Sequence, residues 1–107
     1  MYTKSTDFDA VKSSGLKRKE LEGIISTLAG KYGAERIYLF GSLATGNWRM
    51  ESDIDLAVEG VAKEVFFQAF GEILFRTARD VDLIDLSEAK DPLQRRIKRE
   101  GRLIYER

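Results

Sequence analysis

Asp53 and Asp55 are the residues of this chain whose types and spacing most readily do chemistry. They open the run Asp53-Ile54-Asp55-Leu56-Ala57-Val58-Glu59, where Ile54, Leu56 and Val58 alternate with Asp53, Asp55 and Ala57 in the period of a half-buried strand. Side chains two residues apart on a strand leave the same face, about 6.6 Å apart along the chain. Both carboxylates therefore point together, while Ile54 points into a core. Like charges held side by side resist joint ionisation unless a cation offsets them, and hard oxygen donors favour magnesium or manganese. A bare Asp-x-Asp is more often a solvated strand edge, so the neighbouring residues decide its meaning.

Two neighbours bear on it. Arg36-Ile37-Tyr38-Leu39-Phe40 is another β-prone run, and it stops at Gly41-Ser42. Glycine there lets the backbone turn closely. A helix beginning near Leu43 would aim N–H groups at an anion, with the Ser42 hydroxyl as a further donor, which makes a phosphate cradle. A Gly-Ser pair after a strand is also a common plain turn. A third acid comes from Val81-Asp82-Leu83-Ile84-Asp85-Leu86, where a carboxylate flanked by apolar residues needs a reason. Asp82 and Asp85 are an odd number of residues apart and so occupy opposite faces of a regular strand. Asp82, earlier and more central, is favoured to join Asp53 and Asp55. Asp85, followed by Ser87 and Glu88, reads more as a turn partner.

These residues need a scaffold. Leu21, Ile24, Ile25 and Leu28 recur at helical spacing between residues 16 and 32, and Gly33 follows where a helix ends. A second helix spans 61 to 77, and a third, basic one spans 91 to 100 with Pro92 in its first turn. Strands are expected over 36 to 40, 53 to 59, 80 to 86 and, after Gly101, 102 to 105. Residues 1–15 read as a loose polar arm. The order predicts an α/β (α+β) domain over 16–107, a small mixed sheet of about four strands with helices packed mainly on one face. On the second helix Phe67, Leu74 and Phe75 widen the apolar arc beyond the stripe of Val65, Phe66, Ala69, Phe70 and Ile73. A small domain buries most of its large apolar groups, which favours core for them; a docking surface is the other reading.

Composition narrows the chemistry. The 107 residues, 43% hydrophobic and 34% charged, suit one soluble domain with no room for a second, substrate-binding one. There is no histidine and no cysteine, so catalysis must rest on carboxylates, hydroxyls, lysine or a metal. Eighteen basic residues offset eighteen acidic ones, which argues against nucleic-acid binding by bulk electrostatics. The cluster Arg95, Arg96, Lys98, Arg99 and Arg102 reads as a solvated helix face without a catalytic role. No apolar run approaches the roughly 18 residues of a membrane span, and Met1 to Ser14 is too polar for a signal peptide. A cytoplasmic location is expected.

Gly41-Ser42, then ten residues, then Asp53-Ile54-Asp55 resembles the signature of the DNA polymerase β-like nucleotidyltransferase superfamily. Phe40-Gly41-Ser42-Leu43-Ala44, with Gly46, Arg49 and Ser52 to Val58, is similar to the minimal nucleotidyltransferases, often the antitoxin half of a pair with a HEPN toxin. Val81 to Leu86 and the tail Arg99 to Tyr105 are similar too.

The resemblance implies a palm-like nucleotidyltransferase fold and two Mg²⁺ ions, or Mn²⁺, held by Asp53, Asp55 and Asp82. It implies Gly41 and Ser42 as nucleotide-binding residues, and transfer of AMP from ATP to a tyrosine hydroxyl of a HEPN toxin. A chain this short needs its acceptor presented by another protein or subunit, in a hetero- or homo-oligomer. Trp48, in the active-site loop, could touch that partner or a base. Many relatives carry arginines where this chain has Leu43 and Thr45, so part of the usual basic lining is absent. That keeps open an alternative, a weak or inactive nucleotide-binding module that neutralises or scaffolds its partner by binding alone.

Overall fold

Leu21, Ile24, Ile25 and Leu28, spaced along one helix face, are all buried. The computed structural model describes residues 18–41, 53–77 and 80–107. The expected arm over 1–15, Ser42, the helix expected near Leu43, Thr45, Trp48 and Arg49 lie outside the described residues. Helix α1 (Arg18–Ile25) runs on as a π-helical segment, Ser26–Lys31, in place of the uniform α-helix its periodicity predicts. The Thr27 hydroxyl donates to the Gly23 carbonyl at 2.9 Å, and the Tyr32 N–H reaches back five residues to the Thr27 carbonyl at 3.2 Å. A side chain competing for the carbonyl four residues back loosens the α ladder. Gly33, at φ 77°, ends the helix, and the Ala34 N–H closes onto the Leu28 carbonyl at 2.8 Å.

Strands β1 (Arg36–Phe40), β2 (Ile54–Glu59), β3 (Val81–Asp85) and β4 (Arg102–Glu106) form one sheet in the order β3-β2-β1-β4. β1 pairs antiparallel with β2 and β4, whereas β2 and β3 are parallel and need a crossover. The crossover is a 3-10 turn, Lys63–Val65, followed by α2 (Phe66–Arg76). Helix α3 (Asp91–Glu100), with Pro92 in its first turn, lies between β3 and β4.

Alternation sorts the side chains onto two faces. Ile37, Leu39, Ile54, Leu56 and Leu83 meet α1 and the buried Ala69 and Ile73 of α2. The register of β1 on β4 slips between Ile37 and Tyr38, and the extra β4 residue lets Ile104 and Tyr105 both enter this core. The second face buries Tyr38, Ala57, Leu86 and Ile97, with Phe40, Ile84 and Leu103 packed around them. Two helices thus cover the first face, and α3 covers part of the second through Ile97. Ile97→Ala is expected to lower stability by about 2–4 kcal/mol in urea titration.

Across β2, β1 and β4 an ionic row closes one end of the sheet. Arg36 lies 2.7 Å from Glu106 and 3.6 Å from Glu59, and Lys98 lies 3.5 Å from Glu59. The core reading of the wide arc on α2 does not hold: Phe67 is 81% exposed, Phe75 94% and Leu74 46%. Phe66 and Phe70 pack against the core. The sheet covers only one side of an outer-layer helix, and the arc is wider than that side. Among the described residues no helix is long and apolar enough to cross a membrane.

Candidate active site

The acids gather on the second face, at the end of the sheet away from the ionic row. Phe40, the last residue of β1, pairs with Asp55, and Asp55 pairs across the parallel ladder with Asp82. Asp53 precedes Asp55 by two residues and shares its face. The structure therefore sets Asp53, Asp55 and Asp82 on one face, with Asp55 half-buried and the other two exposed. Burial first, then the charges of Asp82 and Asp53, push the Asp55 carboxyl above the ordinary aspartate range.

Asp85 belongs elsewhere. Its Oδ1 accepts from the Ser87 hydroxyl at 2.7 Å and from the Ser87 N–H at 3.1 Å, so it caps the turn after β3. Its register partner is Val58, on the first face.

Gly41 stands against the central acid. Its φ is 74°, a left-handed conformation, and a Cβ added there would overlap the Asp55 carboxylate. Glycine at this position serves both the turn out of β1 and the close approach of that carboxylate. Ser42, expected to act with it, lies outside the described residues.

A cavity of about 390 Å³ opens on the other side of Gly41, between the end of β1 and α3. Phe40, Leu93, Ile97 and Gly101 give it apolar walls, and Arg96 and Glu100 supply charge. Arg99 at 3.1 Å and Arg96 at 3.4 Å from Glu100 hold its carboxyl below the usual glutamate range. The sequence reading missed this cavity. Its signal was Leu93 and Ile97, four residues apart on an otherwise polar helix, which mark the face turned to the sheet.

The donor set suits a hard divalent cation: three carboxylates of one sign on one face, the innermost resisting ionisation unless positive charge stands by. Among the described residues no three acidic side chains converge closely enough to enclose an ion. Asp53 and Asp82 are exposed, so turning them toward Asp55 requires no repacking of the core.

The sequence profile described as Polymerase beta, Nucleotidyltransferase matches residues 22–107. The chain belongs to this family. Solved structures carry the same nucleotidyltransferase fold. A toxin–antitoxin complex crystallised with AMP-PNP matches at 25% identity and TM-score 0.68, over 86% of this chain and 75% of that one. The MNT antitoxin bound to a tri-AMPylated HEPN toxin of Shewanella oneidensis matches at 24% identity and TM-score 0.65, over 86% and 74%. A candidate nucleotidyltransferase from Sulfolobus solfataricus matches at 23% identity and TM-score 0.56, over 97% and 93%. No curated protein matches the chain by sequence.

Proposed function

We propose that this nucleotidyltransferase transfers AMP from ATP to a hydroxyl of a HEPN-type toxin and acts as that toxin's antitoxin. One observation carries the chemistry: Asp55 stands between Asp53 and Asp82 on one face, against the backbone of Gly41. The partner is supported by the solved relatives, one of them in complex with a tri-AMPylated HEPN toxin.

Asp53, Asp55 and Asp82 would hold two magnesium or manganese ions. When bound, these ions supply the charge that aligns a triphosphate and makes an acceptor hydroxyl nucleophilic. The chain's residues do the rest. Gly41 lets a phosphate approach the backbone beside Asp55, and Ser42 would add a hydroxyl donor. Asp82, on edge strand β3, would hold the second ion or take the proton as the acceptor oxygen bonds to the α-phosphorus. The bond from the α-phosphorus to the bridging oxygen then breaks and pyrophosphate leaves. The cavity beyond Gly41, walled by Phe40, Leu93 and Ile97, offers a partly apolar seat beside the reacting groups.

Incubation with ATP labelled at the α-phosphate and a HEPN partner is expected to label the partner, and Asp53→Ala to abolish the labelling. Absence of label with every nucleotide and candidate partner would sink the proposal. If Asp53→Ala ends labelling yet leaves toxin neutralisation intact, binding alone neutralises. The loss of basic lining at Leu43 and Thr45 favours that second reading.

A further inference from the structure

The outer side of α2 carries a ridge that the transfer site does not use. Phe67 and Phe75 are 81% and 94% exposed, and Gly71 lies between them on the same face. A Cβ built on Gly71 meets nothing within 4 Å. A glycine inside a helix costs about 1 kcal/mol relative to alanine. Alanine would fit this protomer, so glycine here suits the close approach of another backbone. We propose that α2 is the contact of a homodimer, with a second copy of this chain crossing it at Gly71.

The pattern itself selects a second copy. Phe67 lies four residues before Gly71 and Phe75 four after, so a two-fold axis at Gly71 sets Phe67 of one protomer beside Phe75 of the other. Residues four apart form the ridge whose packing against its like is the commonest helix contact, at about −50°. The ends are complementary as well. The two-fold runs the helices antiparallel, so their unlike dipole ends lie together.

Four phenyl groups would remove on the order of 600 Å² from water, about half of what the smaller specific interfaces bury. Leu74 and Gln68, exposed beside the ridge, extend it toward that size. The three acids lie on the opposite face of the sheet, so the dimer leaves both transfer sites open and stands or falls independently of the proposed transfer.

Sedimentation of the full chain from about 1 to 100 µM is expected to show a dimer. Phe75→Glu and Gly71→Leu are expected to weaken it at least about a hundredfold. Neither should lower the melting temperature of the protomer, since both positions face outward. The chain has no cysteine, so Gly71→Cys provides a single thiol, which mild oxidation should join to its twin. Arg95→Cys, on α3, should form no disulfide-linked dimer under the same oxidation. A wild-type chain that is monomeric throughout overturns the proposal, including when the ridge is covered by the chain's own residues or by a toxin. So does a dimer that survives both substitutions.

Discussion

Asp55→Asn is expected to abolish nucleotide transfer, by at least about a thousandfold, and to raise the melting temperature of the metal-free protein. The two effects share a cause. Burial and the charges of Asp82 and Asp53 raise the Asp55 pKa in the folded protein, so the folded state binds that proton more tightly than the unfolded chain does. Ionised Asp55 therefore subtracts from stability at neutral pH, and an isosteric amide removes the deficit. Because the carboxylate is only partly buried, solvent screening keeps the gain small, a rise of roughly 2–6 °C.

The sign gives a second check. The wild type and Asp55→Asn should differ fully above the raised pKa, and the gap should close as pH falls through it toward the ordinary aspartate range. Scanning calorimetry in a chelator from neutral pH downward measures this. Added magnesium should reverse the order by stabilising only the wild type. An Asp55→Asn protein no more stable than wild type at neutral pH would mean that the three acids do not burden one another.

This tension was partly legible in the sequence. Alternation placed Asp53 and Asp55 on one face and Ile54 in the core, and the odd spacing of Asp82 and Asp85 separated them. Which of the two faced the pair depended on strand register, which periodicity does not contain; the pairing of Asp55 with Asp82 supplies it. Helix ends at Gly33 and at Pro92 were readable because glycine and proline act through their own backbone geometry.

The π-helical segment, the extra residue at Ile104 and the cavity under α3 arise from competition between local bonds and tertiary packing, which no single residue announces. The arc at Phe67 and Phe75 shows the limit most clearly. Periodicity says that a face is apolar, and the same pattern serves a core and an interface until the neighbouring layer is in view.

The two faces divide the work of the sheet. Helix α2, which carries the exposed arc, packs on the first face, while the acids lie on the second. Asp82 stands on edge strand β3, whereas the cavity lies across β2 from it, at the end of β1. One short domain thus carries two separate surfaces, one for chemistry and one apolar. Proteins that present their substrate through a partner need that separation, since a chemical site covered by a stable contact cannot turn over.

Gly41→Ala is expected to lower transfer by about a hundredfold and stability by roughly 1–3 kcal/mol, with both losses running through Asp55. At φ 74° a Cβ is strained on the backbone alone, and here it also overlaps the carboxylate. Gly41→Asn separates the two causes, because asparagine tolerates the left-handed region better than alanine yet carries the same Cβ. If the overlap dominates, both variants lose activity alike; if strain dominates, the asparagine variant recovers.

A double-mutant cycle with Asp55→Ala isolates the contact in stability, since that change removes the carboxylate and leaves Asp55 Cβ at 3.4 Å, an ordinary contact. In that background the penalty of Gly41→Ala should shrink to the backbone strain of about 1–2 kcal/mol. Simple additivity in urea titration would instead mean that Gly41 and Asp55 do not press on one another in solution. The closeness of backbone to carboxylate, on which the phosphate approach depends, would then have to be abandoned.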